Sequence, residues 1–212
     1  MSADQQMPPA RRERNPRGQG DRLRDDVIAA LARIASDDDR MRPVPVSLRE
    51  LAREAGVTAP AIYAHFASVG EVGWAVAQDG FDRLVAVMDE AEAETAGCSA
   101  AEGLIALAHA YCRFAVEHRG HFRLMFVEKP TLFGVSADAT PAVREVLKRW
   151  RRAASRLQED GVTMSDTETA AMYLWTAVHG RLALDPLLTS VTDMSDTRRF
   201  VEQIVQEIIT VR

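Results

Sequence analysis

Apolar residues recur along this chain at intervals of three and four, the spacing that lines one face of an α-helix. Over 21–35 they are Leu23, Val27, Leu31 and Ile34, with acidic residues near the start. Leu48, Leu51, Ala52 and Ala55 repeat the pattern, and Ile62 and Phe66, four apart, anchor a short helix after it. A long helix is expected from Ser68 to about Ala96, with Val72, Val76, Phe81, Leu84, Val85 and Met88 inward. The next runs from Ser99 to about His118 through Leu104, Leu107, Ala108, Tyr111 and Ala115. Arg119 to Lys129 holds a compact apolar cluster, Phe122, Leu124, Met125 and Phe126, and Pro130 to Ala139 reads as a loop. Thr140-Pro141 then opens a helix carrying Val143, Leu147, Trp150, Ala154 and Leu157, closed by Gly161. Met172, Trp175, Val178 and Leu182 mark a helix that ends before Pro186, and Val201, Ile204, Ile208 and Val211 mark the last. No alternating strand pattern stands out. The chain is expected to be all-α, with about nine helices.

Start and stop signals sharpen this. Ser47 and Glu50, Ser68 and Glu71, Ser99 and Glu102, and Ser165 and Glu168 all have capping-box spacing. Gly56 falls at a helix end, where positive φ is often needed and glycine adopts it without strain. Thr58 is placed to cap the next helix, with Pro60 near its start, where the missing N–H costs little. Two helices across a short glycine turn form the unit that lays its second helix in a DNA major groove. The helix over 21–35 should pack across that pair and complete a three-helix unit. Pro43 and Pro45 keep Ser36 to Val46 from being helical throughout.

Composition adds bounds. With 212 residues and 47% hydrophobic content the chain has material for a real core in one or two domains. The net charge of −5 argues against a uniformly basic surface, but it is unevenly spread. Met1 to Gly70 hold 11 basic and 10 acidic residues, and the remainder holds 15 and 21. A small phosphate-binding face on the first segment is compatible with that contrast, though not required by it. Residues 1–20, rich in Pro, Gly, Gln and Arg, read as a disordered arm. Arg11, Arg12, Arg14 and Arg17 there either follow a phosphate backbone or minor groove, or form a solvated tail with no role.

Cys98 and Cys112 make neither a disulfide framework nor a zinc site. Sharing one helix, they would stand roughly 21 Å apart along its axis. The first 20 residues lack an apolar targeting segment, and the longest charge-free apolar run, Thr169 to Gly180, is shorter than the ~20 residues of a membrane span. A soluble cytoplasmic protein with no membrane partner is expected.

Leu51-Ala52, Ala55-Gly56-Val57, Ile62-Tyr63 and His65-Phe66 resemble the DNA-binding domain of TetR/AcrR-type transcriptional regulators. Trp175, His179 and Gly180 resemble the Trp-His-Gly motif that names one subgroup of C-terminal ligand-binding domains (WHG). The segments 114–118 and 122–126 are similar to that subgroup as well. The resemblance covers roughly residues 21–212. Beyond the disordered basic arm over 1–20, it implies a helix–turn–helix domain over 21–68 and a ligand-binding and dimerisation domain over 69–212. It also implies that Thr58, Ala59, Pro60 and Ala61 face base edges, that Tyr63 and His65 face phosphates, and that Ser47 meets another phosphate at a helix N-terminus. Two positions depart from the family pattern. Val69 stands where many members carry a phosphate-binding lysine, and Ala64 where a polar residue is frequent. With so few hydrogen-bonding groups on the reading helix, thymine methyls and DNA shape are expected to carry much of the preference.

Each assignment has a plainer alternative. Tyr63 and His65 are otherwise packing and capping residues of a small helical domain. Phe81, Met88, Tyr111, Phe114, Phe122, Met125, Phe126, Trp150 and Trp175 either line an apolar ligand cavity or are ordinary core. His179 shares a helix face with Trp175 and is either structural or a polar handle for ligand. Gly180 costs a helix interior about 1 kcal/mol relative to alanine, so close approach of another helix is expected to compensate. His109, His118 and His121 do not form a convincing metal site, and neither metal nor cofactor is expected. A nucleophile elbow, a phosphate-cradling glycine loop and a HExxH helix are all missing from the sequence, which disfavours an enzyme. The expected function is a ligand-responsive, homodimeric repressor. It pairs through its last two helices, binds a palindromic duplex operator, and is released by a small apolar or aromatic effector. The alternative is a helical protein-interaction module or small-molecule binder without sequence-specific DNA binding.

Overall fold

The computed structural model describes residues 19–37, 46–126, 140–162, 166–188 and 194–210. These form α1 (Gln19–Ser36), α2 (Leu48–Ala55), α3 (Ala59–Tyr63), α4 (Val69–Glu94), α5 (Ala100–Glu117), α6 (Arg119–Phe126), α7 (Thr140–Glu159), α8 (Thr167–Leu188) and α9 (Met194–Thr210). Among the described residues there is no strand, and the all-α expectation holds. The arm as far as residue 18, the Pro43–Pro45 segment and the loop at 130–139 lie outside the described residues. Gln19 and Gly20, read as part of the arm, belong to α1.

The caps show why the helices start and stop where they do. The Ser47 hydroxyl accepts the Glu50 N–H at 3.2 Å and begins α2. Gly56 ends it at φ 69°, and the Val57 N–H closes back on the Ala52 carbonyl at 2.9 Å. Ser68 caps α4 through the Glu71 N–H, but the Glu71 carboxylate accepts from the Ala67 N–H instead of from Ser68. Ser99 and Glu102 make the full reciprocal box. The break between α5 and α6 falls at His118, the C-cap of α5, so the apolar cluster after it is a helix of its own.

Several expectations are corrected. Thr58 occupies the cap position of α3 in extended geometry, yet its side chain makes no capping bond. Ser165 is outside the described residues, and Asp166 caps α8 by accepting the Thr169 N–H and hydroxyl. α8 continues through Pro186 to Leu188, because a proline in a last turn forfeits one intrahelical bond where few remain. Met172, expected inward, is exposed. Among the described residues nothing approaches a Cβ built on Gly180, so the expected close approach of another helix is not found there. Cys98 precedes α5 and is exposed, while Cys112 is buried within it, so the two do not share a helix. Ile208 and Val211 carry no described side chains. Val205 joins Val201 in burial on α9.

Burial separates into two clusters. One gathers Val27, Leu31 and Ile34 of α1, Leu48 and Leu51 of α2, Ile62 and Phe66, then Val72 and Val76 from the first turns of α4. Leu124 of α6 completes it. The larger cluster gathers Phe81, Leu84 and Met88 of α4, the inner face of α5, Trp150 and Leu157 of α7, Leu174 and Val178 of α8, and Val201 and Val205 of α9. α4 and α6 therefore contribute to both. Across the larger core Arg149, itself 9% exposed, ties α7 to α4 by donating to Asp89 at 2.6 and 2.9 Å. Arg152 adds bonds to Asp89 and Glu92. These bonds hold the Asp89 carboxyl below its usual range, Arg149 having the larger effect.

Two glycines let α6 wedge between its neighbours. A Cβ on Gly120 would lie 1.9 Å from the Ala32 carbonyl oxygen of α1, a distance no side chain tolerates. A Cβ on Gly80 of α4 would meet Met125 at 2.6 Å and His121 at 3.1 Å. The helix is thereby fixed against α1 on one side and α4 on the other.

Candidate functional site

The α2–turn–α3 unit divides its residues sharply between inside and outside. Ile62 is fully buried and Phe66 nearly so, the latter lying under the Arg24 guanidinium of α1 at 5.7 Å. From that footing the opposite side of α3 faces outward. Tyr63 is 60% exposed, Thr58, Pro60 and His65 are exposed, and Ala59 and Ala61 are half-buried. Ser47 is exposed too, at the start of α2. Its hydroxyl oxygen accepts the Glu50 N–H, leaving its own proton to donate elsewhere. A carboxylate or phosphate oxygen suits that proton. All seven residues assigned to DNA by resemblance are thus open on the surface or at its margin.

The helical stretch is shorter than the sequence suggests. α3 spans only five residues, and His65 and Phe66 follow it on turns closed by bonds to the Ile62 carbonyl. His65 abuts the start of α1, where a Cβ on Gly20 would stand 3.2 Å from its Cε1. The sequence gives no sign of this contact, because it joins segments 45 residues apart.

The interior aromatic set forms one connected network. Its centre is the Tyr111 hydroxyl, which accepts the Trp175 Nε1–H at 3.0 Å and lies 2.8 Å from His179 Nδ1. An indole can only donate, so the hydroxyl keeps its own proton free to donate, and a neutral imidazole protonated on Nε2 would accept it at Nδ1. Burial acts in the same direction, lowering the His179 pKa and raising that of Tyr111. Around this relay the Phe126 ring meets His179 at 4.7 Å, Phe122 at 5.0 Å and Phe81 at 5.4 Å. Tyr111 meets Trp150 and Phe122 edge-on, both at 5.8 Å. Met88 and Met125 are buried in the same core. Phe114 is buried there as well and stacks obliquely on His118 at 4.8 Å.

His109, His118 and His121 do not converge on a metal: no described group of three or more histidine, cysteine or acidic side chains has that geometry. His121 is instead a junction residue between α4 and α6. Its Nε2 is buried and lies 3.1 Å from an Asp79 carboxylate oxygen, without the angle of a hydrogen bond. Burial lowers the His121 pKa, and the nearby Asp79 charge offsets part of that.

Comparisons with known proteins agree with this geometry. Residues 45–69 match the family described as bacterial regulatory proteins, tetR family. Residues 104–208 match the tetracyclin repressor-like C-terminal domain. No curated protein matches the chain. Among solved structures, a protein with unknown function from Rhodococcus sp. RHA1 is 25% identical, with a TM-score of 0.69 over 92% of this chain and 99% of that one. The fatty acid degradation regulator FadR from Bacillus halodurans is 15% identical, with a TM-score of 0.72 over 90% and 96%. The TetR family transcriptional regulator PfmR from Thermus thermophilus is 16% identical, with a TM-score of 0.65 over 90% and 95%. The last two likenesses establish the fold.

Proposed function

We propose that this chain, which belongs to the tetR family of bacterial regulatory proteins and so is a DNA-binding regulator and not an enzyme, acts as a homodimeric repressor released by a small molecule. The observation that carries the reading is the two-sidedness of α3. Ile62 and Phe66 are sealed beneath it while Thr58, Pro60, Tyr63 and His65 stand clear of it. In this reading Thr58, Ala59, Pro60 and Ala61 meet base edges, and Ser47, Tyr63 and His65 meet phosphates.

Dimerisation is assigned to α8 and α9. Met172, Tyr173 and Leu184 expose apolar surface on α8. The open space over Gly180 lies on that helix too, a place where a second copy can approach closely. Two-fold symmetry then calls for a palindromic operator with half-sites about 34–36 Å apart, or a simple variant of that spacing.

The effector is assigned to the core around Tyr111, Trp175 and His179, within a domain of the Trp-His-Gly subgroup. Phe81, Met88, Phe114, Phe122, Phe126 and Trp150 supply apolar and aromatic surface, and the His179 Nε2–H supplies one donor. An apolar or aromatic molecule that parts these rings must move α6, since Phe122 and Phe126 sit on it. Because Gly120 fixes α6 to α1, that movement reaches the DNA-binding unit. A coupling of about 1–3 kcal/mol weakens operator binding about 5–150-fold. A cytoplasmic location follows from the role.

Selection of bound duplexes from a random pool, followed by titration of salt and of aromatic small molecules, tests this reading. Enrichment of a palindrome, steep loss of affinity with salt and release by a ligand are expected. Recovery of no preferred sequence, or a ligand that tightens operator binding, rules it out.

A further inference from the structure

A cavity lies away from the aromatic core. It is a cleft of ≈ 390 Å³ where α1 meets α4, the end of α5 and the start of α6. That volume is in the range of small-molecule sites. Its apolar floor is Ile28 and Ala32 of α1, both nearly buried. Its rim carries three carboxylates, Asp25, Asp79 and Glu117, and two guanidiniums, Arg33 and Arg83.

The charges are not evenly matched. Arg33 is engaged by Glu54 at 3.2 Å, and Arg83 by Asp79 at 2.6 Å. His121, held toward its neutral form by burial, adds no fixed positive charge. Among the described residues no hydrogen bond or ion pair engages the carboxylates of Asp25 or Glu117. They line the same cleft from opposite structural units, one on α1 and one at the end of α5. Both cations on the rim are therefore occupied, while two anions are not.

We propose that this cleft binds a small organic amine. Its ammonium groups lie against Asp25 and Glu117, and its short alkyl chain lies on Ile28 and Ala32. Such a ligand bridges the DNA-binding unit and the larger core at a place distinct from the Tyr111 network. Binding stands apart from the repressor reading. Only its consequence for DNA, a stiffened junction and an altered operator affinity, rests on that reading.

Calorimetric titration of the full-length protein with 1,4-diaminobutane and with n-butylamine tests the assignment, using butan-1-ol and butyrate as matched controls. The expected result is saturable binding of one diamine per chain, with weaker binding of the monoamine and none of the alcohol or the acid. The paired substitution Asp25→Asn and Glu117→Gln should weaken diamine binding by about tenfold or more, since each removes a charge-assisted contact. Glu90→Gln with Glu94→Gln, which removes the same charge from an exposed face of α4, should leave it unchanged. Equal weakening by both pairs identifies general attraction to an acidic protein and overturns the proposal. So does binding of butyrate in preference to the amine, or no saturable binding at low salt. Operator affinity measured with and without the diamine is a separate readout. If calorimetry succeeds and no operator exists, the repressor reading fails and the amine site stands.

Discussion

Gly120 and Ala32 meet backbone to backbone: a Cβ on the glycine would fall 1.9 Å from the alanine's carbonyl oxygen. Neither partner can yield by rotating a side chain, so Gly120→Ala must push α6 off α1. The expected cost is about 1–3 kcal/mol, the usual range for overpacking. Gly97, with open space around its Cβ and no positive φ, is the matched control, and Gly97→Ala should stay within about 0.5 kcal/mol. Urea unfolding midpoints of the two variants decide the matter. Equal midpoints would show that the contact does not hold the two helices together.

Tyr63→Ala should separate binding from stability. The ring is 60% exposed and outside both cores, so unfolding should change by no more than about 0.5 kcal/mol. Affinity should fall to a similar degree for operator and for unrelated duplex, because a phosphate contact carries no sequence information. Fluorescence anisotropy on both duplexes provides the check. Loss confined to the operator would move Tyr63 from phosphate to base.

Tyr111→Phe removes one oxygen and strands two partners, the Trp175 Nε1–H and His179 Nδ1. Leaving buried polar groups unmatched costs about 1–3 kcal/mol, which guanidinium unfolding would resolve. Nitrogen chemical shifts of His179 give an independent reading. The wild type should show the Nε2-protonated tautomer, and the variant should lose that preference.

Stability should fall on mild acidification. Burial lowers the pKa values of His121 and His179 in the folded protein, so below about pH 6.5 the unfolded chain binds protons that the folded one resists. The histidine contribution is whole above that pH and is lost as pH drops from there through the folded values. His179→Gln should flatten the slope of melting temperature against pH between about 5 and 6.5. Asp89 acts in a lower window. Its carboxyl is depressed chiefly by the Arg149 hydrogen bonds, so its contribution is present above about pH 4 and disappears on further acidification. A wild-type curve flat from pH 7 to about 5 would contradict the histidine assignment.

Leu184→Arg tests the pairing surface. The side chain is 52% exposed, so the monomer fold should tolerate the change, whereas a charge buried between two copies is unfavourable. Sedimentation equilibrium should show dissociation, and operator affinity should drop with it. A variant that stays dimeric places the interface elsewhere.

Much of the helical plan was legible in the sequence because short-range spacing decides it. The stripe in α1, the glycine stop at Gly56 and the Ser99–Glu102 box depend on residues within a few positions of one another. Where a local signal competes with a neighbour, spacing alone misplaces the boundary. Asp166, one residue beyond the expected serine, makes the bonds that start α8, and Pro186 did not stop that helix because it sits in a turn already near its end. Met172 matched the helical period yet faces outward, since period alone does not say which stripe of an apolar helix finds a partner.

Residues 47–66 determined by themselves that two helices, the first capped by Ser47, flank a glycine turn, with Ile62 and Phe66 on one side and Tyr63 on the other. Caps, glycine φ and 3.6-residue periodicity are local and need no knowledge of the remaining chain. Tertiary structure alone decided that Tyr111 joins Trp175 to His179, that α6 rests on bare backbone at Ala32, and that Asp25 and Glu117 border one cleft. Those pairings span 64 residues or more of sequence and depend on how helices settle against each other, a balance of packing and burial that no short window of residues contains.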